Sequence, residues 1–396
     1  VGNSVLAVES TNEAPPLLRH RFTPRVLIDA RKLGHGGIGS YIANLVAGLV
    51  HSDPDSEVTL VVGNNSYREY AWHNRVRAIF DSAKPYSVDE FIGLPRRIDF
   101  SQYDLFHEPH YTLPFGIPIP SVVTVHDLIH VTHPQRFFYP LIARRLIASS
   151  VKRASCVIAV SEATGRDLAS YLAVTPETQK KIVIVPNTVD PELMLQAQLG
   201  RESELVQSIF ARGPYLIAII STDKPHKGLI DLLVAYSHLR RIEVRVPRLV
   251  IAGLGVDFRS VTECAVQLGI GDELTIAGAL PRAELCALLH QSRGCIVPSL
   301  AEGFGLPVLE AQTLSIPVVM RPVAALCELA THADIVAEDF SIGSLAIAMR
   351  EILRVERISA ADRARHLARY APEQVNELVL NAYASALRRA RGGSLN

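Results

Sequence analysis

Short apolar runs alternate with helix-length amphipathic segments along most of the chain, and they do so in two series. The first series is Arg25–Ala30, Val58–Val62, Asp104–His107, Ser121–His126, Ser155–Val160 and Ile182–Val185. The second is Tyr215–Ser221, Arg248–Gly253, Glu273–Ile276, Gly294–Pro298, Ile316–Met320 and Asp334–Ala337. Runs this short and this continuously apolar suit strands covered on both faces. Helical patterns such as Ser40–Leu49 and Pro140–Arg153 lie between them. Strand and helix by turns imply a parallel sheet sandwiched by helices. The rhythm loosens at Leu193–Gly213, which separates the series. The expected fold class is therefore α/β: two tandem Rossmann-like, doubly wound parallel-sheet domains facing across a cleft. At 396 residues and 48% hydrophobic, the chain can fill two cores. The expected division is a tail at 1–23, a first domain at 24–192, a connector at 193–213, a second domain at 214–372 and a terminal helix at 373–396. Within that helix, Val375, Leu378, Val379, Ala382 and Leu387 fall largely on one face.

Forty basic residues balance forty acidic ones, which removes the electrostatic basis for binding nucleic acid. No apolar run approaches the length that spans a bilayer. The first 23 residues lack the basic start and apolar core of a signal peptide, and Glu9 and Glu13 interrupt them. Five cysteines, an odd number without a Cys-x2-Cys pair, point to reduced thiols in a cytoplasmic protein.

Residues 298–317, PSLAEGFGLPVLEAQTLSIP, carry the most chemistry. Pro298 ends a strand, a turn follows with Glu302, Gly303 and Gly305, and Leu306-Pro307 opens a helix that bears Glu310. Glycines let several backbone N–H groups converge, and a helix start adds free amides and partial positive charge. That is an anion site. The two flanking carboxylates cannot neutralise a phosphate, so their natural partners are hydroxyls, as in ribose or hexose diols. Phosphate in the middle with sugar hydroxyls at both ends describes a nucleotide sugar.

Three further segments bear on the same site. Gly34-His35-Gly36-Gly37-Ile38-Gly39 satisfies G-x-G-x-x-G, a weak signal alone. Arg31, Lys32 and Leu33 separate it from its strand, and Val58–Val62 ends in Gly63-Asn64 where a dinucleotide site needs an acid. NAD is therefore set aside; Gly36 and Gly37 are expected to let the loop ahead of helix Ser40–Leu49 approach a diphosphate. His107, His110, His126, His130 and His133 crowd two strand-to-loop segments, but no nearby cysteine or paired acid completes a metal-ligand set. His126 ends an apolar strand at the cleft, where an imidazole can bond a sugar hydroxyl. The segment Ser221–Gly228 ends a strand and places Lys227 before a helix start, suited to a diphosphate leaving group.

Glu302-x7-Glu310 within PSLAEGFGLPVLEA resembles the signature of the retaining GT-B glycosyltransferases of family 4, and the likeness extends from about Arg25 through the chain. The resemblance implies a GT-B fold whose terminal helix crosses back to the first domain. It implies hexosyl transfer, mannosyl- or glucosyl-like, from a GDP- or UDP-linked donor to a hydroxyl of a glycan or lipid-linked acceptor. The anomeric configuration would be retained, with no metal cofactor and no covalent nucleophile. By the same likeness, His126 touches the donor sugar, Glu302 and the backbone of Phe304 and Gly305 hold the hexose, Leu306 N–H and Lys227 meet the diphosphate, and Glu310 holds the ribose. Relatives carry an arginine five residues before the lysine; here Thr222 stands there and brings no charge. Rival expectations are a GT-B sugar-nucleotide epimerase or phosphorylase, and a non-catalytic nucleotide-sugar binding protein. The run Phe137–Arg153 mixes Phe137, Phe138, Leu141, Ile142, Leu146 and Ile147 with four basic residues, a composition that admits peripheral contact with an anionic inner membrane face.

Overall fold

The computed structural model describes residues 24–34, 36–53, 55–134, 139–172, 175–253 and 258–392. The proposed tail at 1–23, together with His35, Phe137 and Phe138, lies outside the described residues.

The first sheet contains β1 (Val26–Asp29), β2 (Val58–Val62), β3 (Arg77–Phe80), β4 (Leu105–Glu108), β5 (Ser121–Val125), β6 (Cys156–Ala159) and β7 (Ile182–Ile184). All pair in parallel, in the order β3-β2-β1-β4-β5-β6-β7. Helices α1 (Gly36–Ser52), α2 (Tyr139–Arg153) and α3 (Glu162–Leu172) are among those that cover it. Strand β3 is absent from the sequence expectation. It is an edge strand opened by Arg77, and none of its four residues is buried, unlike those of its neighbour β2.

Residues 193–213, expected as a loose connector, form two helices, α4 (Leu193–Leu199) and α5 (Glu204–Ala211). Leu193, Ala197, Val206 and Ile209 are buried in the core of the second unit, so hydrophobic burial orders the segment. The second sheet contains β8 (Tyr215–Ile219), β9 (Arg248–Ala252), β10 (Leu274–Gly278), β11 (Cys295–Val297), β12 (Val318–Met320) and β13 (Ile335–Val336). It too is parallel, ordered β10-β9-β8-β11-β12-β13. The helices that bear on the site here are α6 (Leu229–Ile242), α7 (Arg282–Gln291) and α8 (Leu306–Thr313).

The terminal helix α9 (Pro372–Gly392) returns to the first domain. Val375, Val379, Ala382, Tyr383 and Ala386 are buried in the same cluster as β1, β2 and α1. Leu378, expected on that face, is 39% exposed, and Tyr383 takes the inner position instead. In each sheet the strand order reverses once, between β1 and β4 and between β8 and β11. Ligands of open parallel sheets bind beyond the strand ends at such reversals, and here the two reversals face one another.

Candidate active site

A cleft of about 520 Å³ lies between the two domains. All ten residues singled out from the sequence line it: Gly36 and Gly37 at the start of α1, His126 after β5, Thr222 and Lys227 after β8, and Glu302, Phe304, Gly305, Leu306 and Glu310 after β11. Each follows the C-terminal end of its strand, which is why residues so far apart in the chain meet.

The loop after β11 is built as its composition requires. Gly305 has φ +107°, a conformation that strains any residue with a side chain, and it leads directly into α8 with Pro307 in the first turn. The free amides of α8 thus open on the cleft. Lys227 ends a short turn after β8, and its ammonium lies 2.6 Å from Glu302 Oε1. Ser299 donates to the same oxygen at 2.8 Å. The pair is only 22% and 14% exposed, so little solvent screens it. Lys224 and His226, close to Thr222 in the same loop, also line the cleft. Burial, and then Lys227, lowers the His226 pKa, so its ring is a poor source of charge.

Glu310 does not stand alone. Arg282, the first residue of α7, donates to its Oε1 at 2.8 Å and approaches Asp190 Oδ2 at 3.5 Å. Burial opposes the charge on Arg282, but the adjacent Glu310 and Asp190 raise its pKa above the ordinary value. Sequence reasoning missed this residue. A signal existed: a cation at the positive end of a helix is electrostatically misplaced unless an acid holds it there.

His126 is fixed by a hydrogen bond from Nε2–H to the carbonyl of Pro109 at 2.9 Å and by an edge contact with the Tyr41 ring. That bond leaves Nδ1 as an acceptor. Burial lowers the His126 pKa and keeps the ring neutral. His107 and His110 lie away from the cleft lining, in the core. His107 is fully buried between the Tyr383 and Thr124 hydroxyls, and His110 is buried against Thr112 and Tyr86. His130 lines the cleft and pairs with the Tyr111 hydroxyl.

Two family profiles match, and they divide the chain between them. "Glycosyltransferase Family 4" covers residues 35–193, and "Glycosyl transferases group 1" covers 201–374. The chain belongs to the GT-B glycosyltransferases of family 4. Among characterised relatives, the MMP alpha-(1->4)-mannosyltransferase of Mycolicibacterium hassiacum is 32% identical over half of this chain and 47% of its own. The chain thus spans about half the length of that relative. The O-antigen chain mannosyltransferase B of Escherichia coli is 25% identical over 88% of this chain and 95% of its own. Among solved structures, Anabaena Alr3699/HepE in complex with UDP and glucose superposes with a TM-score of 0.71. It is 16% identical and covers 91% of this chain and all of that one, a likeness of fold.

Three glycines show features that the sequence expectation did not include. Helix α1 begins at Gly36 rather than at Ser40, so Gly36 and Gly37 form its first turn and not a preceding loop. Gly37 lies against the Leu306 side chain of the opposite domain. Gly303, one of the turn glycines expected to let backbone amides converge, has a further reason to be small. A Cβ there would overlap the His126 carbonyl, and the Gly303 carbonyl accepts from Ser161 Oγ at 2.7 Å and Thr164 Oγ1 at 3.1 Å. Gly303 is thus one point where the two domains touch.

Proposed function

We propose that the chain is a retaining glycosyltransferase that moves a hexosyl unit, mannosyl- or glucosyl-like, from a nucleoside diphosphate sugar to a hydroxyl of a glycan or lipid-linked acceptor. The observation that carries this reading is the meeting, in one cleft, of a helix start, a lysine and two acids from one domain with a neutral histidine from the other. The diphosphate sits at the start of α8, where Leu306 N–H and the helix dipole favour negative charge. Gly36 and Gly37 admit it from the other side, and Thr222 donates a single bond. Lys227 turns from Glu302 toward the leaving oxygen as charge develops there. Glu302, with the backbone of Phe304 and Gly305, holds the hexose hydroxyls. His126 Nδ1 accepts from a sugar hydroxyl. Glu310, steadied by Arg282, accepts from the ribose diol.

The C1–O bond to the diphosphate breaks as the new glycosidic C–O bond forms on the same face, and the acceptor's proton passes to the departing phosphate oxygen. Lys227, Lys224 and the α8 amides supply the positive charge this needs, so turnover should survive a chelator. The mannosyltransferase relatives favour a mannosyl donor and a glycan acceptor, while UDP in the Anabaena protein keeps both bases open. We place the protein in the cytoplasm, touching the inner membrane face. No helix of the described residues is long and apolar enough to cross a membrane. Helix α2 exposes Leu141 and Ile142 beside Arg144 and Arg145, which suits anionic lipid.

A thermal-shift screen over UDP, GDP, ADP and their sugars identifies the donor, since a ligand of the folded state raises Tm. Product analysis with that donor then reads the linkage. A protein stabilised by none of these nucleotides, or one releasing only free sugar with every acceptor, would overturn the proposal. Cosedimentation with anionic vesicles tests the membrane face, and a protein left in the supernatant removes it.

A further inference from the structure

The proposed function brings His126 and Glu302 to one sugar, yet they belong to different domains. Between those domains lies a small polar seam. The carbonyls of His126 and Gly303 both approach the Thr164 hydroxyl, at 3.3 and 3.1 Å. Burying carbonyl oxygens without donors costs free energy. Ser161 and Thr164 supply those donors. Ser161 Oγ donates to Gly303 O and also accepts from Thr164 N at 3.0 Å, which makes it the cap of α3. From the second domain, Glu328 accepts from the next two amides of that helix, Glu162 N at 3.0 Å and Ala163 N at 2.7 Å. The start of α3 is therefore satisfied by both domains at once. Gly303, with no side chain, lets the two backbones close to this distance.

We infer that Ser161 and Thr164 are positioning residues of the reaction, and that Glu328 clamps the joint they make. Their hydroxyls join the backbone of His126 to that of Gly303 and so fix the gap between the two halves of the site. The inference rests on the glycosyltransferase reading for its kinetic consequence, but its geometry stands without it. Thr164 acts through the backbone of other residues and touches no substrate.

Thr164→Val keeps the shape and removes the hydroxyl, whereas a Ser161 variant would also uncap α3. Thr164→Val should lower kcat roughly ten-fold, the cost of one lost buried hydrogen bond. Affinity for the nucleoside diphosphate, whose charged contacts all come from the second domain, should stay within about two-fold. Thr164→Ser should restore the rate. Glu328→Gln, which keeps one acceptor oxygen, should fall between. Paired spin labels, one on each domain, should give a broader distance distribution in Thr164→Val than in the wild type. A Thr164→Val protein with wild-type turnover, one losing nucleotide affinity in step with its rate, or a Thr164→Ser as slow as Thr164→Val would overturn the inference. A wild-type protein inactive on every nucleotide sugar would instead defeat the activity reading. The label distances would then decide the seam, an unchanged distribution rejecting it.

Discussion

Replacing Lys227 with methionine tests the charge arrangement at the centre of the site. The substitution retains most of the stem and removes the ammonium that sits 2.6 Å from Glu302. Unit charges about 4 Å apart interact by about 4 kcal/mol at an effective dielectric of 20. Loss of one preorganised donor at a developing anion costs about 2.7–4 kcal/mol. Lys227→Met should therefore slow turnover roughly 100- to 1000-fold. Two roles must be separated, because the same lysine also pairs with a carboxylate only 14% exposed. Glu302→Gln and the double variant complete a cycle. If Lys227 serves only to neutralise Glu302, removing it in the Glu302→Gln background should cost nothing further. If it meets the leaving diphosphate, the double variant should be slower than Glu302→Gln by nearly the same large factor. Initial rates under saturating donor, with Tm measured in parallel, read both. A folded Lys227→Met protein that loses less than ten-fold, or a double variant no slower than Glu302→Gln, would refute the role.

Glu310→Gln should weaken nucleoside diphosphate binding roughly ten- to hundred-fold, the cost of a charged hydrogen bond. Arg282→Met should weaken it in the same direction by releasing Glu310, and calorimetry showing unchanged affinity for Arg282→Met would mean the pair is not used in binding. His107 gives an acid-stability signature. Burial, and then His126, lowers its pKa to about 3. The unfolded chain takes up that proton near pH 6.5 and the folded one does not, so stability falls as pH drops from about 6.5 toward 3, by up to roughly 1.4 kcal/mol per pH unit. Urea midpoints of His107→Gln should fall less steeply over that range, and parallel curves for variant and wild type would count against the assignment.

Much of this was legible in the chain. Apolar runs of strand length are local signals, and they located all the inner strands of both sheets; only the edge strand β3, which has no buried position, escaped. The turn after β11 was equally readable, since Gly305 at positive φ and Pro307 in a first turn are requirements of the backbone at that point. Residue type also ranked Lys227, Glu302 and Glu310 correctly as cleft residues. Reading failed where burial decides. Residues 193–213 have weak periodicity but pack firmly, and His107 is a core residue because Tyr383 arrives from the far end of the chain.

The amino-acid order thus determines the two parallel-sheet domains, the anion-binding turn and the kinds of side chain offered to the cleft, because period, turn geometry and helix polarity act over a few neighbouring residues. Which of those side chains pair is another matter. Lys227 meets Glu302 across 75 residues, Arg282 joins Glu310 to Asp190, and Gly303 rests against the His126 carbonyl of the opposite domain. The Lys227–Glu302 and Arg282–Glu310 pairs form when the second domain folds, whereas the contacts to Asp190 and His126 depend on how two folded units dock, and neither is set by any local run of sequence.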